Sequence, residues 1–174
     1  MIAASRSVDR AVAWLCRVVV LLAGTALLLV LASNIVARYV LSAGGFDWAQ
    51  EVPERLFPWF IMAGVVLAGQ QGGHVAVEWI LPKLDAGGRK WLLAGVHLLV
   101  AGAYLWLTRV ALEVADITAV ERSPVLGLPT SHGYFALAGG SVLLAVATLC
   151  ILVRIVLLGP DAVPSSTADE LPVA

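Results

Sequence analysis

The chain has 174 residues, 60% of them hydrophobic and only 13% charged, and its mean hydropathy is +0.93. A water-soluble domain of this length carries more charge than that to cover its surface, so the composition points to a membrane protein. The net charge of −1 offers no basic surface to nucleic acid, and Cys16 and Cys150 stand outside any Cys-x-x-Cys or Cys/His cluster, so small packing roles are expected for both and no metal or cofactor is.

At the N-terminus Arg6, Arg10 and Arg17 precede an apolar run from Val18 to Val36 that only Thr25, Ser33 and Asn34 interrupt. A cleaved secretory signal also puts basic residues before an apolar run. This run is longer than a signal's and long enough for ~30 Å of hydrocarbon at ~1.5 Å per residue, so it is expected to stay as a first span. The span is placed at about residues 15–37. Gly44-Gly45 then marks a turn, and Asp47-Trp48-Ala49-Gln50 reads as a helix cap. The uncharged stretch from Leu56 to Gly73 predicts a second span at about 52–71, extending upstream toward Trp48, kinked near its start by Pro53 and Pro58 and wet at Gln70-Gln71.

Over 74–90, Val77, Ile80, Leu81 and Leu84 recur at helical spacing with Glu78, Lys83 and Asp85 elsewhere, which predicts a short interfacial helix despite Pro82. Trp91 to Thr108 predicts a third span at about 91–112. Pro124, Gly127 and Pro129 exclude a continuous helix over 115–131, and Gly133 to Val153 predicts a fourth span at about 133–156. From 159 to 174 prolines, Ser, Thr and acids predict a disordered cytoplasmic tail. The expected fold is one all-α integral membrane domain over 1–158, with four transmembrane helices and a short interfacial helix between the second and third.

Lys and Arg set the orientation. The N-terminal segment, the second loop and the C-terminal flank hold Arg6, Arg10, Arg17, Lys83, Arg89, Lys90 and Arg154; the opposite side holds Arg38, Arg55, Arg109 and Arg122. Seven against four predicts both termini in the cytoplasm.

Ionisable residues inside the membrane mark function, and these spans offer almost none. His97 is the one such group well inside a span, and a single histidine cannot supply paired haem ligands, so packing is expected of it. His74 and His132 fall on opposite predicted sides. A self-sufficient carrier needs a midplane site of acids or broken helices, which the sequence lacks, so an accessory subunit is expected in place of a carrier or an enzyme. A stand-alone four-helix transporter and a non-transport assembly protein are the alternative readings.

Polar residues gather where the first two spans approach their shared turn. Asn34 and Arg38 are i, i+4 neighbours with Tyr39 adjacent, while Trp48, Glu51, Arg55 and Trp59 step along one face of the second helix. Glu51 and Arg55 stand in the favourable order for an ion pair. The short link also predicts that Asn34, Arg38 and Glu51 meet, with Arg38 coupled to Glu51. The face reads either as an aromatic belt with a surface ion pair or as a docking face for another subunit.

These residues carry a resemblance. The Arg38-Tyr39 pair, the spacing of Trp48, Glu51, Arg55 and Trp59, the Gly72-Gly73-His74-Val75 element, Leu81-Pro82 and the run from Ser123 to Pro129, followed by Tyr134 and Gly139, resemble the DctQ-type small membrane subunit of tripartite ATP-independent periplasmic (TRAP) transporters. The resemblance covers roughly residues 14–155. Pro53, Glu78 and His132-Gly133 depart from the family pattern. The resemblance implies a subunit of the bacterial inner membrane that braces a large multi-span permease subunit, where substrate and sodium bind. In that family a periplasmic solute-binding protein delivers a small organic, often carboxylate-bearing, solute, and the resemblance implies the same partner here. It further implies partner contacts at Asn34, Arg38, Tyr39, Trp48, Glu51, Arg55, Trp59, Gly73, His74, Ser123, Pro124, Leu126, Gly127 and Pro129. The lipid bilayer is the remaining partner.

Overall fold

The computed structural model describes residues 2–40, 44–70 and 84–159. Four helices fill them: α1 (Ile2–Tyr39), α2 (Trp48–Gln70), α3 (Ala86–Thr118) and α4 (His132–Leu158). In hydrocarbon, backbone N–H and C=O groups must be paired within their own segment, and a helix does this. Each of the four is long and apolar enough to cross a bilayer, so the fold is all-α and the chain a multi-pass membrane protein.

Two helices run well past the spans expected of them. α1 starts at Ile2 and not near residue 15, because its early turns have something to pack against: Val12 and Cys16 join a buried cluster with Ala63, Val66 and Leu144. The Ser5 hydroxyl adds a 3.4 Å bond to the Cys150 carbonyl. α3 runs on to Thr118, burying Ala111 and Ala115 in its last turns. α2 passes through Pro53 and Pro58 without a break. The interfacial helix expected over 74–90 lies outside the described residues as far as 83, and from Ala86 the chain is already α3, capped by Asp85 accepting from the Gly88 amide. Gly73, His74 and the tail from 160 onward also lie outside the described residues.

Packing runs α1 on α2, α2 on α4 and α4 on α3, with a lighter contact between α1 and α4. α4 is therefore the hub. Its sequence suits the position, since Ala136, Ala138, Gly140, Ala145 and Ala147 are buried and let neighbouring backbones come close. The closest approach is at Gly140, where an added Cβ would sit 2.9 Å from Met62 Cβ. His97 is buried on α3 with its Nδ1–H donating to the Leu93 carbonyl at 2.8 Å, in keeping with a packing role.

Two polar levels bracket the bundle. Asp9, Gln70 and Arg154 cluster at one end: the Gln70 amide donates to the Asp9 carbonyl at 3.0 Å, and Arg154 pairs with the Asp9 carboxylate. Asn34, Glu51, Arg55 and His132 mark the other. From His132 to Arg154 the rise along α4 is about 33 Å. The span from Glu51 to Gln70 along α2 is about 28 Å, so the gap between levels matches a ~30 Å hydrocarbon core.

Candidate docking surface

The link between α1 and α2 turns at Gly44 and Gly45. Asn34, still on α1, accepts the Phe46 amide through Oδ1 at 2.8 Å and so fastens the returning chain. Phe46 stacks on Trp48 with ring centroids 5.4 Å apart. Asn34 thus holds the link that leads into α2, but the expected coupling of Arg38 to Glu51 does not form. Arg38 lies over the Tyr39 ring, 5.8 Å from its centroid, and among the described residues no ion pair joins it to Glu51.

Glu51 faces the connection between α3 and α4. Its Oε1 accepts the Val125 amide at 2.9 Å and its Oε2 the Leu126 amide at 2.8 Å. One turn along, Arg55 donates to the Pro129 carbonyl at 2.9 Å and to the Leu128 carbonyl at 3.4 Å. The expected Glu51–Arg55 ion pair is therefore replaced by two charged side chains gripping one loop. Charge-assisted bonds to backbone groups left over by a turn are stronger than a solvated i, i+4 pair, which explains the choice.

The loop is built to be gripped. The Ser123 amide donates to the Leu128 carbonyl at 2.9 Å, Gly127 N–H to the Ser123 carbonyl at 3.1 Å, and Leu128 N–H to the Ser123 hydroxyl at 3.2 Å. Gly127 sits at φ 63°, where a side chain would be strained. Thr130 N–H reaches the Glu121 carbonyl at 2.9 Å, and Arg122 bridges to Pro129. His132 Nδ1–H donates to the Pro129 carbonyl at 2.9 Å, joining the loop to the first turn of α4. A cleft of roughly 550 Å³ opens beside this junction, lined in part by Glu54, Glu121, Arg122, Thr130 and Tyr134.

Asn34 and Arg38 stay at the turn, Gly73 and His74 lie outside the described residues, and the other candidate contact residues divide into two sets. Glu51, Arg55, Ser123, Pro124, Leu126, Gly127 and Pro129 come together, with the Glu51 carboxylate and the two terminal nitrogens of Arg55 bonded to the loop. Tyr39, Trp48 and Trp59 stay open on the outside, the two tryptophans 39% and 40% exposed. The Asp9–Arg154 pair at the far end is absent from any sequence reading: Arg154 counted only as a flanking charge, and no local signal marks Asp9 as its partner.

Comparison with known proteins agrees with this assembly of motifs. The family model for "Tripartite ATP-independent periplasmic transporters, DctQ component" matches residues 27–158, about three quarters of the chain. The chain belongs to the DctQ family. It is 48% identical over 162 residues to the uncharacterized protein y4mM of Sinorhizobium fredii, a match over 93% of this chain but only 30% of that protein. It is 27% identical over 103 residues to a putative TRAP transporter small permease protein of Haemophilus influenzae, covering 59% of this chain and 62% of that one. The chain thus spans under two thirds of the length of either relative. The DctQ match contains α2, the 123–129 loop and α4, so the whole grip on the loop lies within it.

Proposed function

We propose that this chain is the small membrane subunit of a TRAP-type secondary transporter in the bacterial inner membrane. In this reading it braces a large permease subunit during sodium-coupled uptake of a small organic, carboxylate-bearing solute brought by a periplasmic binding protein. Both termini face the cytoplasm, and the Glu51–Arg55 end faces the periplasm. The supporting observation is the grip of Glu51 and Arg55 on the 123–129 loop, which ties α2 to the start of α4 and leaves Trp48 and Trp59 outward on a stiffened end. A brace needs such rigidity, and interface aromatics carry a large share of binding energy, often ~2 kcal/mol or more each. The test is a pull-down of the large subunit in mild detergent with a Trp48→Leu/Trp59→Leu variant, alongside solute uptake. Loss of both with a normally folded chain is expected. Full recovery of the partner with normal uptake would reduce the two tryptophans to belt residues.

A further inference from the structure

The first turns of α1 carry a feature that the brace does not use. Arg6, Arg10 and Arg17 are all exposed. At 100° per residue they fall within about 40° of one another, forming a ladder along one side of the helix. Trp14, between them, is 67% exposed. Arg10 Nε makes a 3.4 Å bond to the Arg6 carbonyl, but among the described residues none of the three guanidinium groups meets a carboxylate. The acid nearest in sequence, Asp9, is taken by Arg154 of α4. These turns precede residue 27, where the DctQ match begins.

The depth of the ladder is fixed by what lies behind it. Cys16 packs with Ala63 and Val66, one to two turns inside the level of Gln70, whose amide reaches Asp9. Asp9 stands at the level of Gln70, so along α1 Arg10 lies at the hydrocarbon edge, Arg6 about 6 Å outside it and Arg17 about 10 Å inside. Over this ladder the rise is about 16 Å, more than the headgroup layer of roughly 5–8 Å on one side of a bilayer, and Arg17 can bridge the difference by snorkelling outward. An arginine facing acyl chains without a counter-charge is costly, and the guanidinium fork matches a phosphate in bidentate fashion.

We propose that this face of α1 holds the headgroups of anionic phospholipid, with Arg6, Arg10 and Arg17 on the phosphates and Trp14 at the boundary. The position of the ladder across the bilayer edge favours lipid over an acidic protein segment. The test is native mass spectrometry of the full chain, alone and with its partner subunit, after exchange into detergent carrying phosphatidylglycerol and phosphatidylcholine. The chain is expected to retain phosphatidylglycerol preferentially, each arginine contributing roughly fivefold, and to lose the preference as salt rises. Arg6→Gln/Arg10→Gln/Arg17→Gln should bring the two lipids to parity, while the triple Lys variant should keep most of the preference. If the Gln variant fails to insert, the unaltered chain decides through its lipid ratio and salt dependence. An unaltered chain with no preference would overturn the proposal, as would a Gln variant that keeps it. Displacement of the lipid by glycerol 3-phosphate at equal concentration would assign the face to free phosphate. A preference seen in the isolated chain but lost in the complex would assign it to an acidic segment of the partner.

Discussion

Glu51 spends both carboxylate oxygens on the amides of Val125 and Leu126, so a substitution there acts on a loop 74 residues away. Glu51→Gln keeps one acceptor but turns an amide NH₂ toward the second N–H, whereas Glu51→Ala removes both acceptors. Amide exchange at Val125 and Leu126 should therefore speed up modestly in the first variant and strongly in the second, with melting temperature falling in the same order. Equal protection in all three chains would show that the loop holds itself. Arg55→Lys should act more mildly than Arg55→Ala, since an ammonium keeps a charged donor for the loop carbonyls but lacks the fork whose two nitrogens reach Pro129 and Leu128 separately. None of this pairing was legible from spacing. Helical periodicity reports on neighbours three and four residues away, and on that evidence Glu51 and Arg55 read as partners of each other. The resemblance grouped Glu51 and Arg55 with the run from Ser123 to Pro129, and only the folded chain shows why they belong together.

Among the helices, the uncharged runs made the centre of every span legible, because length and hydropathy alone decide membrane crossing. The first turns of α1 were not, since residues 2–17 carry charges and owe their helix to contacts with α2 and α4. Asp9–Arg154 is the polar part of that contact, its side chains 20% and 17% exposed. Asp9→Asn and Arg154→Gln should each destabilise the purified chain. The double variant should lose less than their sum, with a coupling of about 0.5–3 kcal/mol in a double-mutant cycle. Additive losses would mean that the two charges stand beside each other without helping. Along the α2–α4 seam, Gly140→Ala should cost about 1–3 kcal/mol, because the new methyl group meets the Met62 Cβ, which cannot swing aside. Met62→Ala in the same chain should return part of the loss, and unchanged melting of Gly140→Ala would deny the close approach.

For the molecule as a whole, the proposed orientation places Asp47 on the periplasmic side. A cysteine at position 47, in a chain with Cys16 and Cys150 replaced by Ala, should react with an impermeant maleimide in intact spheroplasts. Reaction only after permeabilisation would invert the topology and with it the placing of the Glu51–Arg55 end. The central position of α4 carries a consequence of another kind. Of the four helices α4 is made last, yet each of the others packs against it. While the ribosome is still producing α3, the α1–α2 pair sits in the bilayer with Glu51 and Arg55 lacking their loop and Asp9 lacking Arg154. Chains stalled before Ser123 therefore carry Glu51, Arg55 and Asp9 without the partners that the finished fold gives them, so the polar fastening at both ends of the bundle waits on residues made after α3.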